Sequence, residues 1–461
     1  MSSDVSVSAS PSVSASPSVS ASPGRVMHAR RTAQGYPDTF YARLLGQMPR
    51  REAASGRLQA ETVVVGGGLA GIATALDLAE RGRDVLLLEA RRVGWGASGR
   101  NGGFVSDALQ GGAIESVGRL GLQHAQEVHR LTRTEGVELL RARLAREEIA
   151  CGPRPPGVMR VAFRGQRAGL QTWRDRMARD FDTPWEYWPA ARVRQALNTE
   201  RYADALLSEE GFAVDPLAMT RGLALAAERH GVRIFEDSKL RVCRRQGDGR
   251  YRLRAGQAEI LCENVVLTGG AYIGPECPKL WLATIPAATF VMTTPPLGAR
   301  LDRAIAVPYA IYDLKFATNY YRRLPDGRLL WGGRVLGWQP PAARIARALA
   351  HDMGAMYRDL AGVQPELAWS GLLPFTRTLF PAIGRLAPGL WYATGFGGHG
   401  LALTTMAGRL VASAIAEGDD RFRLFAPFGL PIAGGPLSRL PAQLVFWARA
   451  LAERRHRDPE V

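Results

Sequence analysis

The sequence is poor in lysine and in long apolar runs, and each shortage excludes a class of protein. Only three of its 59 basic residues are lysines, so arginine supplies nearly all of the formal net charge of +16. The arginines are scattered along the chain, whereas nucleic-acid binders usually carry a basic stripe or tail. No stretch approaches the roughly 20 apolar residues that a membrane helix needs. We therefore expect neither a nucleic-acid partner nor an integral membrane segment.

Cysteine is also scarce, and its spacing excludes several kinds of site. The chain has four cysteines, none of them in a C-x-x-C pair: Cys151, Cys243, Cys262 and Cys277. This pattern argues against a disulfide framework, a dithiol redox motif and a zinc site, so we expect no metal. Buried free thiols are typical of a reducing compartment, which predicts a cytoplasmic location.

The amino-terminal segment has few large apolar side chains. The hexapeptide SVSASP occurs three times between residues 6 and 23. Such a tract cannot bury enough surface to fold, so we expect residues 1–35 to be disordered. It also lacks the basic start and apolar centre of a secretory signal.

A nucleotide-binding pattern begins at residue 61 with ETVVVGGGLAGIATALDLAERGRDVLLLEA. It predicts a strand at 62–65, a helix that starts at Leu69 and ends near Gly82, and a second strand at 85–88 that leads into Glu89. The three glycines have the G-x-G-x-x-G spacing that brings a pyrophosphate to a helix start, and Glu89 is placed to bind a ribose hydroxyl. The pattern predicts a dinucleotide site that includes Gly66, Gly68, Leu69, Ala70, Gly71 and Glu89.

The stretch GWGASGRNGG, residues 94–103, indicates which dinucleotide is bound. An NAD domain normally continues into another helix and strand at this point, whereas a glycine-rich segment can pass under the pyrophosphate again and lie beside a flat ring. The stretch therefore favours FAD over NAD. The residues expected to contact the cofactor here are Ala90, Arg91, Gly96, Ala97, Ser98, Arg100, Asn101, Gly102 and Gly103.

Two further glycine motifs follow in the chain, ENVVLTGGAYIG at 263–274 and TGFGGHGLALTTMAGRLVA at 394–412. The second predicts a bare turn followed by a helix at 401–412, whose start carries about half a positive charge. Directed at a flavin, it would favour the anionic reduced ring. The cofactor contacts expected from this part of the chain are Leu240, Gly269, Gly270, Gly395, Phe396, Gly397, Gly398, His399 and Gly400.

These motifs, in this order and together with FPAIGRL at 380–386, resemble those of the D-amino-acid oxidase superfamily of FAD enzymes. The similarity is greatest to the branch that contains gamma-glutamylputrescine oxidase, and it extends along almost the whole chain from about residue 36. The resemblance implies an α/β fold, with a Rossmann-type FAD-binding domain and a sheet-based α+β substrate domain. It places the FAD-binding domain at 36–110, 205–278 and 370–425, the substrate domain at 111–204 and 279–369, and a carboxy-terminal extension with an amphipathic helix at 426–461.

The resemblance also implies a reaction. An amine or amino acid would lose hydride from its α-carbon to flavin N5, and water would hydrolyse the resulting imine. A gamma-glutamylated diamine is the favoured substrate, and oxygen, reduced to hydrogen peroxide, is the favoured acceptor. The alternatives are a dehydrogenase that passes electrons to a quinone or protein partner, and a flavin-binding protein without activity. FAD is expected to be dissociable, because the carboxy-terminal motif has no cysteine. The sequence does not indicate an oligomeric state.

The sequence offers fewer candidates for catalytic and substrate-binding residues than for cofactor-binding residues. His399 could act as a base, or it could pack beside the ring. Arg100, Arg334 and Arg377 are candidates to bind a substrate carboxylate. Lys315 could be a cation in the pocket or a solvated loop residue.

The aromatic segment WRDRMARDFDTPWEYW, at 173–188, should be mostly core, with one or two rings lining a cage for an amine. The chain departs from its relatives at two places. A lysine that promotes the oxygen reaction in some relatives is replaced by Leu330 or Trp331, which puts oxidase activity in doubt. Asp215-Pro216 stands where the branch often has His-Pro, so substrate preference could differ.

Overall fold

The computed structural model describes residues 35–46, 50–152 and 155–455. Except for Gly35, the tract expected to be disordered lies outside these residues. The α-helices are α1 Phe40–Leu44, α2 Leu69–Ala79, α3 Ala113–Leu120, α4 Leu122–Leu131, α5 Leu139–Arg146, α6 Arg167–Phe181, α7 Ala190–Ala196, α8 Pro216–Arg229, α9 Pro278–Ala283, α10 Ala299–Ala304, α11 Ala342–Met356, α12 Gly400–Ala416 and α13 Arg439–Arg455. The strands are β1 Ser55–Val65, β2 Val85–Leu88, β3 Phe104–Val105, β4 Pro156–Phe163, β5 Glu186–Trp188, β6 Tyr202–Ala213, β7 Arg233–Phe235, β8 Leu240–Arg245, β9 Tyr251–Ala255, β10 Gln257–Leu267, β11 Ile285–Thr293, β12 Ala310–Asp313, β13 Tyr320–Arg323, β14 Leu329–Leu336, β15 Leu367–Phe375, β16 Ala382–Ala387 and β17 Leu390–Thr394.

The first sheet has the order β16-β17-β10-β1-β2-β7, and β9 and β8 extend from β10. Strands β17, β10, β1, β2 and β7 run parallel to one another, whereas the edge strand β16 is antiparallel to β17. Val63, Val64 and Leu87 in its centre are fully buried, as expected for a parallel sheet covered on both faces. Helices α2, α8 and α12 contribute to the same apolar core.

The predicted nucleotide unit forms the middle of this sheet. The strand expected at 62–65 is the end of the longer β1, and β2 covers 85–88 as expected. Helix α2 starts at Leu69, and Gly82 adopts a positive φ of 74° just beyond its end. Strand, turn, helix and second strand therefore follow each other as the glycine pattern indicates.

The second sheet has the order β15-β11-β14-β13-β12-β4-β6-β3, and β5 pairs with β6. Most neighbours are antiparallel, although β12 and β4 are parallel. Its two faces differ along β4: Met159 and Val161 join a core packed under α11, whereas Val158 and Arg160 line a cavity on the other face. This alternation, with a period of two residues, fixes which side chains face the cavity.

The expected fold class, α/β with a second sheet-based part, is confirmed. Residues 205–213 and 370–375 lie in strands of the second sheet, whereas the expected segments assigned them to the FAD-binding part. Each of these strands belongs to the second sheet and leads into an element of the first part, β6 into α8 and β15 into β16. A boundary drawn from sequence motifs alone therefore falls inside the strand. The domain segments themselves stay a prediction.

The carboxy-terminal helix α13 packs against the second sheet. The Gln443 side chain accepts a hydrogen bond from the Gly337 backbone at 2.8 Å, and Trp447 meets Trp338 edge to face. Leu440, Leu444 and Leu451 are half exposed on the outer side. Within the described ranges, no helix combines the length and the apolar character needed to cross a bilayer.

Candidate active site

A cavity of about 950 Å³ lies between the two sheets. It is lined from the first sheet by the turns that follow β1, β2 and β10, and from the second sheet by side chains of β4 and β12. The predicted cofactor-contacting residues line it with four exceptions, which are Gly71, Arg100, Gly103 and Gly395. The structure thus brings all four glycine-rich segments to one continuous cavity, and it leaves those four residues out of its lining.

The connection from β1 into α2 requires glycine at two positions, Gly66 in the turn and Gly71 in the helix. Gly66 has a φ of 116°, which a side chain would strain. A Cβ on Gly71 would lie 1.9 Å from the Gly66 carbonyl oxygen, so Gly71 lets α2 approach the strand. Gly71 therefore supports the site from behind, as the fingerprint predicts. The result is a bare helix start at the cavity, where N–H groups favour an anion.

Glu89 lies at the end of β2 and faces the same cavity. Its carboxylate accepts hydrogen bonds from the backbone N–H groups of Gly67, at 2.7 Å, and Arg91, at 2.8 Å. Burial raises the pKa of Glu89 to about 7, and these two hydrogen bonds limit the rise. The carboxylate is held where β2 ends, in the position of a ribose-binding acid.

The glycine-rich loop 94–103 folds under the start of α2. The Ser98 hydroxyl accepts a hydrogen bond from the Leu69 backbone N–H at 2.9 Å, and the Asn101 amide donates to the Ala97 and Ser98 carbonyls. Arg100 is 8% exposed and points away from the cavity. Its guanidinium donates to the Gly96 and Ser370 carbonyls and to the Tyr272 hydroxyl. With its donors engaged in this way, Arg100 holds the loop against β15 and does not reach the cavity where a substrate carboxylate would bind.

The glycine motif at 394–412 places the start of α12 at the cavity. His399 is the residue before the helix, and its side chain makes no capping hydrogen bond. Burial, and to a lesser extent the positive charge of Arg160, lower the pKa of His399 to about 4. The Gln110 side chain accepts a hydrogen bond from the Gly398 N–H at 3.0 Å and fixes the turn. The imidazole is therefore neutral near pH 7 and can accept a proton only weakly.

The other charged candidates occupy different places. Lys315 lines the cavity, with its Nζ 3.9 Å from Asp313 and 5.0 Å from the centre of the Phe163 ring. Arg334 also lines it, but its guanidinium is paired with both oxygens of Asp352 at 2.7 and 2.8 Å. Arg377 is exposed and lies outside the cavity lining. The structure thus brings Lys315 and Arg334 to the site and leaves Arg377 at the surface.

Several cavity residues were not expected from the sequence. Arg160 on β4 lies over the Trp173 ring at 4.1 Å, and Trp173 meets Trp185 edge to face at 5.4 Å. Asp107 and His129 line the same region. Trp173 and Trp185 come from the aromatic segment in which one or two rings were expected to line a cage. Arg160 carries one usable signal, since it is a charge inside the apolar strand VMRVAF. Asp107 and His129 carry none.

The residues at the two expected departures from the relatives lie outside the cavity lining. Leu330 and Trp331 are fully buried in β14, where Trp331 stacks on Tyr321 at 4.5 Å. Asp215 caps α8 by accepting hydrogen bonds from the Leu217 and Ala218 N–H groups at 2.9 Å each. None of them lines the cavity, and Leu330 and Trp331, the residues expected at the lysine position of some relatives, belong to the core.

These residues fit a dinucleotide flavin. The turn at Gly66 to Gly68 keeps its backbone bare, because a Cβ on these glycines would crowd Thr268, Glu89 or Ser98. Glu89 offers the acceptor for a ribose, and α12 offers a positive helix start. The cavity continues past them into a pocket walled by Arg160, Trp173 and Trp185, so a substrate could lie beside the ring.

Comparison with known proteins agrees with this geometry. The DAO family, described as FAD dependent oxidoreductase, matches residues 61–414. Gamma-glutamylputrescine oxidoreductase of Escherichia coli (strain K12) is 31% identical over 410 residues, covering 88% of this chain and 95% of that protein.

Two solved structures share the fold. L-proline dehydrogenase from P. horikoshii superposes with a TM-score of 0.69 at 18% identity, covering 81% of this chain and 98% of that one. Glycine oxidase from Geobacillus kaustophilus gives 0.67 at 22% identity, covering 81% and 99%. The chain therefore belongs to the DAO family of FAD-dependent oxidoreductases, and FAD is its cofactor.

Proposed function

We propose that this protein oxidises a C–N bond of an amine, with a gamma-glutamylated diamine as its preferred substrate. The observation that carries the proposal is the continuity of the cavity, in which the nucleotide turn opens directly into a pocket with charged and aromatic walls. The name of the 31%-identical relative supports the choice of substrate. Amino acids and N-methyl amino acids are the next candidates.

In this proposal the first sheet holds FAD. The start of α2 would bind the pyrophosphate, Glu89 the ribose, and the start of α12 the pyrimidine edge of the ring. Bound FAD would accept the hydride that leaves the carbon next to the amine nitrogen.

The flavin is proposed to be dissociable. Cys277 is the one cysteine that lines the described cavity, and burial raises the pKa of its thiol to about 12. A thiol kept neutral in this way is a poor nucleophile towards the ring. The four free cysteines also support the proposed cytoplasmic location.

The protein's part in the chemistry is orientation and exclusion of water. Trp173 and Trp185 wall the pocket, and Arg160 offers a bidentate site for a carboxylate. The amine must be neutral to release hydride, and the neutral His399 adds no competing positive charge. His399 is therefore proposed as a residue that shapes the pocket, with the role of a weak base as the alternative.

Oxygen is the proposed electron acceptor. Lys315 supports this choice, because it is a cation at the wall of the cavity, and positive charge favours transfer of an electron to oxygen. One observation favours the second candidate, a dehydrogenase that reduces a quinone or a protein: the position at which some relatives carry the oxygen-promoting lysine is buried core, Leu330 and Trp331.

A panel of amines separates the candidates. The purified protein, loaded with FAD, would be mixed without oxygen with gamma-glutamylputrescine, putrescine, glycine and sarcosine. The proposal predicts bleaching of the flavin by gamma-glutamylputrescine first, then rapid return of colour and formation of hydrogen peroxide in air. Return of colour only with a quinone or dye would establish the dehydrogenase. No bleaching by any amine would support a flavin-binding protein without this activity.

A further inference from the structure

The pocket beyond the nucleotide site contains a buried carboxylate that forms no ion pair with a lysine or arginine among the described residues, although the charge of Arg133 acts on it from a longer distance. Asp107 is 5% exposed, lies just after β3 and lines the cavity. Its Oδ2 makes no hydrogen bond. The one ion-pair contact of Asp107 among the described residues is with the His129 ring, whose Nε2 is 3.8 Å from Oδ2. A buried carboxylate without a partner is costly, so a ligand cation would be strongly favoured beside it.

His129 adds a second acceptor. Its Nε2 lies 2.9 Å from the Thr183 hydroxyl, and that hydroxyl donates its own proton to the Phe181 carbonyl at 3.0 Å. The ring must therefore donate from Nε2, which leaves Nδ1 as an acceptor. That Nδ1 has no hydrogen-bond partner. Asp107 Oδ2 and His129 Nδ1 are therefore two buried acceptors without hydrogen-bond partners, on residues that line the same cavity.

Two donors lack partners in the same pocket. The Nε of Arg160 and the indole Nε1 of Trp185 are buried and make no hydrogen bond. Both residues line the cavity, and Trp173 lies between them, under the guanidinium and edge to face with the indole. Donors of this kind match a carboxylate. Burial raises the pKa of Tyr312, the charge of Arg160 lowers it and the charge of Asp107 raises it. Both charges therefore act on this one residue of the cavity lining.

We propose that this pocket binds an amino-acid head group on the substrate, with its ammonium at Asp107 and His129 and its carboxylate at Arg160. The inference rests on the proposed function and sharpens it, because it assigns specificity to the end of the substrate that is not oxidised. The amine that loses hydride is neutral and gains little from a carboxylate. The α-ammonium of a gamma-glutamyl group keeps its charge throughout the reaction, so it is the cation that Asp107 selects.

Three ligands that lack the terminal amine of gamma-glutamylputrescine test the assignment in the FAD-loaded enzyme, without oxygen and with the flavin absorbance followed to verify that no turnover occurs. Gamma-glutamyl-n-butylamide carries both head-group charges, glutaryl-n-butylamide lacks only the ammonium, and 4-aminobutanoyl-n-butylamide lacks only the carboxylate. Titration calorimetry should show that the first binds at least about tenfold more tightly than either of the others, as expected for the loss of one charge-assisted hydrogen-bonding group.

Two variants should remove these preferences separately. Asp107→Asn should abolish the advantage over the glutaryl ligand and keep the advantage over the aminobutanoyl ligand, whereas Arg160→Gln should do the reverse. Asp107→Glu retains the charge and should restore part of the first preference. Asp180→Asn is the matched control, because it removes one carboxylate at the end of α6, outside the cavity, where Asp180 pairs with Arg176 and Arg179.

The outcomes separate this inference from the proposed function. Equal binding of the three ligands to the wild-type enzyme, or an unchanged preference in a folded, FAD-loaded Asp107→Asn variant, would overturn the assignment. Gamma-glutamylputrescine that binds with the predicted preference but does not bleach the flavin would overturn the proposed function alone. Oxidation of gamma-glutamylputrescine without any preference for the head group would leave the proposed function standing and refute the inference.

Discussion

At the scale of single residues, Glu89 should govern the affinity for FAD. It is the acceptor held at the end of β2 by the Gly67 and Arg91 N–H groups. Glu89→Ala removes the hydrogen-bond acceptor proposed for the ribose and should weaken FAD binding about 10- to 100-fold. Fluorescence titration of the flavin-free protein measures the change.

The control for this variant is Glu259→Ala, which removes an exposed carboxylate from β10 in the same sheet. It should leave the FAD affinity within about twofold of wild type. Equal effects of the two substitutions would mean that Glu89 acts only through overall charge.

Asp107 gives the site a pH dependence. Burial raises its pKa to about 6, so the carboxylate is ionised at about pH 7 and mostly neutral at about pH 5. The groups around it are Arg133, which lowers the pKa of Asp107, Glu210, whose pKa burial raises, and His129, whose pKa burial lowers to about 4. The preference for gamma-glutamyl-n-butylamide over its glutaryl analogue is a property of the ionised form, and it should fall up to about tenfold as pH decreases from about 7 to about 5.

Calorimetry at the two pH values, with wild type and Asp107→Asn in parallel, checks this expectation. The variant should show a small preference that does not change with pH. A wild-type preference that increases towards low pH would contradict the sign of the effect.

How far the sequence predicts the site depends on the kind of residue. Gly66, Gly71 and Glu89 belong to a local pattern in which chain spacing itself sets the geometry, so their places could be predicted. Asp107, just after β3, and His129, on α4, meet only through the tertiary fold, and no spacing in the sequence encodes that contact. The substrate pocket is therefore the part of the site that sequence reasoning leaves open.

At the scale of elements, the contact between α2 and α12 holds the two helix starts at the cavity. A Cβ on Gly408 would lie 2.7 Å from the Ala73 Cβ and from the Thr74 backbone nitrogen. Gly408→Ala should therefore lower the free energy of unfolding, because overpacking costs about 1–3 kcal/mol and the gain in helix propensity is at most about 1 kcal/mol.

Gly118→Ala is the matched control, since Gly118 is also helical but exposed, with open space around it. It should raise the free energy of unfolding by about 0.5–1 kcal/mol. Denaturant unfolding measures both. Stabilisation by both substitutions would show that the two helices do not pack as closely as the structure indicates.

Elements were predicted well where local signals are strong. Strand β2 has the expected bounds, because an apolar run flanked by charge defines it. Strand β1 begins seven residues before the expected 62–65, since the polar and exposed residues from Ser55 onward are ordered by pairing with β10, a partner about 200 residues away in the chain. Tertiary pairing of this kind leaves no local pattern to read.

At the scale of the whole molecule, the cavity joins the two sheets, so the cofactor should stabilise the entire chain. Ligand that binds only the folded state adds free energy by mass action, about 2.7 kcal/mol at 100 times its dissociation constant. The flavin-free protein should therefore unfold at a lower temperature, and added FAD should raise that temperature in proportion to the logarithm of its concentration. Scanning calorimetry of the same preparation with and without FAD measures the shift. An unchanged unfolding temperature would contradict the placement of FAD between the sheets.

The central claim, that this cavity holds FAD against an amine whose C–N bond it oxidises, is tested most directly by one anaerobic experiment. The FAD-loaded protein is mixed with gamma-glutamylputrescine in a stopped-flow instrument, and the flavin absorbance is followed. We predict complete bleaching at a rate that saturates with substrate concentration, and a much slower rate with putrescine, which lacks the amino-acid head group. A flavin that stays oxidised with gamma-glutamylputrescine and with every other amine would contradict the account.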